Sequence, residues 1–213
     1  MRAKHGKTRK MALRVLSTAT FLTMVASCAA PAFADAYGIA EYKTWYVSDG
    51  NISVVGNQVT VKDKESHETT ETDDDITITG SSNEYNVILN GANVTIKDLE
   101  IDASKTDSAA ILTGGKTTIE LEGNNKLTGG EGHAGLEKWS NGQANNLPDY
   151  NHTLTIKDDD NDGKLTATGG AGGAGIGGAS TARGYVNNIT VTGGTIEAIG
   201  GEGSAGIGGG KAN

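Results

Sequence analysis

A glycine-rich phrase recurs three times along the chain, each time after a short run of Thr and aliphatic residues, and it restricts the fold more than any other feature. The copies read Gly-Gly-Glu-Gly-His-Ala-Gly-Leu over residues 129–136, Gly-Gly-Ala-Gly-Gly-Ala-Gly-Ile over 169–176 and Gly-Gly-Glu-Gly-Ser-Ala-Gly-Ile over 200–207. The last two align without a gap at an offset of 31 residues, placing Leu165 on Ile196, Ala167 on Ala198 and Ile176 on Ile207. Self-similarity at such a period marks stacked units, none of which can bury its apolar side alone. Function is then expected on a repetitive lateral surface.

Between the phrases lie short alternating runs rich in Thr, Ile, Val and Leu, at 76–79, 87–89, 94–96, 99–101, 118–121, 154–156, 189–191 and 195–198. Three to five residues of period-two pattern, bounded by Gly, Asn or Asp, predict strands, and no window carries a helical period. The chain is therefore expected to be all-β. A sandwich would need longer hairpin-linked strands and leaves the phrase unexplained. A right-handed parallel β-helix, a solenoid of short strands and Gly-rich turns, accounts for it better. In that arrangement Ile111, Leu136, Ile176 and Ile207 stack in register as an interior aliphatic ladder. The intervals between them are 25, 40 and 31 residues, so residues 137–151 form an insertion of about 15 residues. The acidic stretch 63–75 reads as a loop or a frayed early coil. Tyr37, Tyr42, Trp45 and Tyr46 are expected in an N-terminal cap that covers open strand edges. The domain reading is a leader over 1–34, a cap and first irregular coil over 35–75, and β-helix repeats over 76–213. Because no cap follows the last phrase, the reading favours a fragment of a longer surface protein over end-to-end self-association with another molecule.

The first 34 residues resemble an export signal, with Arg2, Lys4, Lys7, Arg9, Lys10 and Arg14 before an apolar run over 15–28 and an Ala-Phe-Ala site at 32–34. The run is too short for a membrane span, which needs roughly 20 residues. A competing reading treats Val-Ala-Ser-Cys, ending at Cys28, as a lipoprotein box that would anchor the chain through that cysteine. Either way the protein is expected to be secreted or at the cell surface. Cys28 is the only cysteine, so no disulfide supports the fold. The leader holds six of the 18 basic residues and no acidic ones, so its removal takes the net charge from −8 to −14. Such a surface repels nucleic acid and anionic headgroups and suits divalent cations or neutral partners.

The phrase Gly-Ala-Gly-Ile-Gly-Gly, preceded by Ile/Leu-x-Ala-x-Gly-Gly, resembles the glycine-rich right-handed β-helix repeats of secreted and surface proteins of Gram-positive bacteria. Some of these are similar to carbohydrate-binding β-helix domains that attach to cellulose or polygalacturonate. The resemblance spans about residues 75–213. It implies an extracellular carbohydrate-binding or adhesion module, often calcium-assisted, with a polysaccharide or a host or cell-wall surface as partner. The alternative is a structural spacer or protein-binding adhesin. A pectate-lyase-like enzyme is the third reading. The Arg-Ile-Lys segment of the related polygalacturonases is absent, and His133 occupies the variable position of the glycine phrase, so no catalytic residue is assigned.

Two places carry candidate chemistry. Asp158, Asp160 and Asp162 stand at positions 1, 3 and 5 of an Asp-x-Asp-x-Asp-Gly turn, a spacing of hard oxygen donors that suits Ca²⁺. Position 12 is Gly169 and no helices flank the turn, so it is not an EF-hand, and a solvated turn explains the same residues. Trp139 and Tyr150 in the insertion, with Asn141 and Asn145 between them, offer aromatic faces and amides suited to a sugar. Trp139 packing the insertion onto the fold explains that residue equally well.

Overall fold

The structure is a computed structural model, and it describes residues 43–139, 152–180 and 186–212. The leader therefore lies outside the described residues, as do Tyr37 and Tyr42 of the expected cap. In chain order the strands are β1 (Thr44–Tyr46), β2 (Asn51–Val55), β3 (Gln58–Lys62), β4 (Glu68–Thr72), β5 (Ile76–Ser82) and β6 (Val87–Asn90). Next come β7 (Asn93–Asp102), β8 (Ile111–Gly114), β9 (Thr117–Glu122), β10 (Asn124–Thr128), β11 (Leu136–Lys138) and β12 (Leu154–Lys157). The last are β13 (Lys164–Thr168), β14 (Ile176–Gly177), β15 (Ile189–Val191), β16 (Thr195–Ile199) and β17 (Ile207–Gly208). The expectation of an all-β chain holds.

These strands make two sheets, and the right-handed parallel β-helix is not what forms. The first sheet is a curled array of nine parallel strands, and the second is an eight-stranded mixed sheet ordered β17-β14-β11-β8-β6-β2-β3-β4. The antiparallel pairs β2–β3 and β3–β4 break the parallel pattern. Their cause is local: β2 and β3 join through a two-residue turn with Gly56 at φ 62°, a hairpin geometry. The stretch 63–75 read as a loop contains β4, whose five residues are all exposed. Its Glu and Thr residues pair with β3 at the backbone without offering an apolar face, which hid it from a search for buried strands. The expected cap residue Trp45 lies in β1, an edge strand of the first sheet paired with β5, and is buried, donating from its indole N–H to Asp73 at 2.7 Å.

The aliphatic ladder forms in the expected register, but it is interior only as far as Ile176, since Ile207 is 49% exposed. Ile52, Val87, Ile111, Leu136, Ile176 and Ile207 are successive partners across the second sheet. The 31-residue offset also holds, since Leu165 pairs with Ile196 and Ala167 with Ala198. Ladder and inward residues of both sheets merge into one apolar core. Close approach between layers explains the glycines best at Gly170 and Gly201: a Cβ on Gly170 would run into the carbonyl of Gly130, and one on Gly201 into that of Gly170.

The first sheet forks at β7. Residues 93–97 of that strand pair with β9, whereas 100–102 pair with β10. Asp98 sits between the halves at φ 47°, and Gly123 turns the next layer at φ 61°. The Asp98 carboxylate accepts the Asn124 N–H at 2.9 Å and fills the space a Gly123 Cβ would need. At the fork the buried Asn125 side chain replaces missing ladder bonds. Its Oδ1 accepts the Leu99 N–H at 3.0 Å, and its Nδ2 donates to the carbonyls of Glu122 (3.0 Å) and Lys164 (3.2 Å). One arm then runs β7-β9-β12-β15 and the other β7-β10-β13-β16.

Candidate functional site

In-register parallel pairing puts like positions side by side, about 4.8 Å apart from strand to strand. On the outward face of the first arm, Asn93, Thr118, Thr155 and Thr190 are successive partners and form one row of small hydrogen-bonding side chains. Thr44, Thr77 and Thr95 begin a second row beside it. That row continues to Glu120 and then Lys157, which meet as an ion pair. Lys97 and Glu122 pair at 2.8 Å in the next outward position. Hydrogen bonding to Glu122 raises the Lys97 ammonium above its ordinary range. The more exposed Lys97–Glu122 pair contributes little stability, and both pairs cancel charge within the face and leave hydroxyls as its main polar groups.

The acidic turn follows β12. Asp158 is buried, and its carboxylate builds the turn: Oδ1 accepts the Asn161 N–H at 2.9 Å and Oδ2 the Gly163 N–H at 3.0 Å. Asn161 takes φ 63°, a conformation Asn tolerates. Glu120, from the neighbouring strand β9, reaches the same turn and accepts the Asp159 N–H at 2.7 Å. One carboxylate oxygen each from Glu120, Asp158 and Asp160 lie within 4.8 Å of one another, a group that could hold a cation. Asp162 is not part of that group. Its charge is instead the main reason the exposed Asp160 carboxyl is held above its ordinary pKa, with burial second. The Lys157 ammonium already pairs with Glu120 and with Asp159 at 2.6 Å, and supplies part of the neutralisation a metal would bring.

Trp139 follows β11 and is half-buried, its backbone N–H donating to the Thr113 carbonyl at 3.0 Å. It stands at the corner where the chain passes from the second sheet to the hydroxyl-bearing arm. Thr113, Thr117, Lys138 and His152 are buried at this corner: Lys138 pairs in register with Thr113, and the Thr117 N–H donates to Thr153. Tyr150, Asn141 and Asn145 lie outside the described residues.

His133, the variable residue of the first glycine phrase, is held between two carboxylates. Its Nδ1 lies 2.9 Å from Glu137 Oε2, and its Nε2 lies 3.6 Å from Asp107. The Glu137 hydrogen bond is the largest cause raising the His133 pKa above 6.5, with partial burial opposing it. Glu137 also accepts the Ala134 N–H at 3.2 Å, so the pair ties the phrase to β11.

Sequence reasoning missed Glu120 and the hydroxyl row for one reason: both depend on which strands are neighbours. A signal for the row was nonetheless present. Asn93-Val94, Thr118-Ile119, Thr155-Ile156 and Thr190-Val191 each place a small polar residue just before an inward aliphatic one. No family model, no curated protein and no solved structure matches the chain.

Proposed function

We propose that this chain is an extracellular or cell-surface module that binds an extended polysaccharide, or a cell-wall or host surface presenting one, along the first arm of its curled sheet. The row Asn93–Thr118–Thr155–Thr190 carries this reading. A polymer offers hydroxyls at a regular step, and a row of hydroxyls and an amide at strand spacing meets it at several places at once. Each contact is weak, and the repetition accumulates affinity. Trp139 at the adjoining corner supplies an aromatic surface suited to a pyranose face. The acidic net charge favours a neutral polymer, and a weak Ca²⁺ site at Glu120, Asp158 and Asp160 would extend the range to acidic ones.

The test is a paired substitution, Thr118→Val with Thr155→Val, which removes two hydroxyls while keeping shape and strand preference. At about 0.5–1.5 kcal/mol per hydrogen bond, retention on the bound polysaccharide should weaken by roughly fivefold or more. The melting temperature should stay close to that of the parent. Unchanged retention by the folded variant would rule out the row as the binding surface.

A further inference from the structure

We propose that Tyr46 is the aromatic platform on which a neutral polysaccharide seats one of its pyranose rings, fixing the path of the polymer across the curled sheet. The inference rests on the polysaccharide reading above and names the class of polymer. Among the described residues Tyr46 is the only aromatic side chain that is exposed, at 50%, whereas Trp45 beside it is buried. Successive residues of a strand face opposite ways, so Trp45 enters the core and Tyr46 joins Thr44 on the outward face. Tyr46 pairs in register with Thr79, and Thr79 with Lys97. The tyrosine therefore stands one outward position, about 7 Å along the strands, from the row of Thr44, Thr77 and Thr95.

The path from that ring avoids charge. The row of Thr44, Thr77 and Thr95 turns charged where it reaches Glu120 and Lys157. On those same two strands the neighbouring row carries Thr118 and Thr155 instead. By register, an oblique line from Tyr46 over Thr77 and Thr95 to Thr118 and Thr155 meets one hydroxyl on each of β5, β7, β9 and β12. Neighbouring strands lie about 4.8 Å apart, close to the advance of one sugar unit in an extended chain. An aromatic ring selects a pyranose with equatorial hydroxyls, because its C–H groups then form an apolar face. A neutral β-linked glucan of the cellulose type meets both conditions, whereas pectate carries a carboxylate on each unit. Tyr46 also has a structural neighbour. A Cβ on Gly80, which takes φ 92° at the register shift after Thr79, would lie 3.7 Å from Tyr46 Cδ1. Covering such a bare glycine is one task for an aromatic side chain, and here it leaves half of the residue in water. The two tasks differ in what they demand: any bulky apolar side chain covers Gly80, but only a flat ring stacks on a sugar.

Retention of the full chain on insoluble cellulose, with pectate and peptidoglycan alongside, tests this. The expected result is saturable retention on cellulose in preference to pectate. Tyr46→Ala and Tyr46→Leu should each weaken it roughly fivefold or more, and Tyr46→Phe should keep it. Tyr46→Leu still covers Gly80, so lost retention at an unchanged melting temperature separates the ring face from the fold. Val55→Ala is the control: Val55 is 54% exposed on β2 of the other sheet, and this variant should bind like the parent. The platform is overturned by parent-like retention of Tyr46→Leu, by an equal loss in Tyr46→Phe, by an equal loss in Val55→Ala, or by a parent that pectate alone retains. In each of these cases the polysaccharide reading stands on its own test, the Thr118→Val, Thr155→Val pair. A folded parent that none of the three polymers retains overturns both.

Discussion

Replacing Asn125 with leucine should cost this protein a large part of its stability, although leucine suits the apolar column around it. Asn125 pairs in register with Leu165, meets the Leu99 N–H on its other side and is 2% exposed. By size and hydrophobicity the substitution gains up to about 2 kcal/mol of apolar burial. Against this, three backbone groups lose their partner at the fork: the Leu99 N–H and the carbonyls of Glu122 and Lys164. A buried polar group left unpaired costs about 1–3 kcal/mol. The carbonyls retain a second lone pair and sit at the low end of that range, so the net loss is about 1–3 kcal/mol even with the full gain in burial. Set against a typical stability of about 5–15 kcal/mol, that is severe. With a urea slope of about 2 kcal/mol per molar, the unfolding midpoint should fall by roughly 0.5–1.5 M. Asn125→Asp adds a second readout. One carboxylate oxygen still accepts the Leu99 N–H, but the other faces two carbonyls, so the folded-state pKa rises above the unfolded one. The variant should thus be least stable at neutral pH and regain stability as pH falls through the folded pKa. A midpoint for Asn125→Leu within about 0.3 M of the parent would refute the claim that this side chain braces the fork.

Two further outcomes follow from the site geometry. Ca²⁺ at millimolar concentration should raise the melting temperature over that in EDTA, in the weak range of extracellular sites. Asp160→Asn should remove the difference, and identical midpoints for the parent would exclude the site. For His133, the folded pKa lies above the unfolded value of about 6.5 because Glu137 accepts its ring N–H, with Asp107 also facing it. The stabilising pair is therefore fully present below pH 6.5 and is lost as pH rises through the folded pKa. Urea midpoints of the parent should fall over that interval, while those of His133→Gln stay flat; parallel pH profiles would show that the pair contributes nothing.

What could be read in advance was set by local chemistry repeated along the chain. The pairings of Leu165 with Ile196 and of Leu136 with Ile176 followed from matching phrases, because in-register stacking of similar residues buries them best. The runs at 154–156 and 189–191 became β12 and β15 for the same reason. Strand β10 escaped notice because Asn124, Asn125 and Lys126 break its apolar pattern, although Asn125 proves to be structural. The β-helix expectation failed at the early strands. The Gly56 turn folds β2 back on β3, and the polar β4 extends that antiparallel edge, so the second sheet is mixed. Repeats late in the chain could not reveal this. The Asp158 turn was legible as a turn, and its backbone bonds explain the first aspartate. Glu120 was not, because it comes from a strand 38 residues earlier in sequence.

The central claim, that the curled sheet's first arm holds an extended polysaccharide, is tested most directly by retention of the full chain on insoluble cellulose, pectate and peptidoglycan, each with Ca²⁺ and with EDTA. The account predicts saturable retention on at least one of them, lost by the Thr118→Val, Thr155→Val pair. Absence of retention on all three by a folded protein would contradict it and favour a spacer or a protein-binding adhesin.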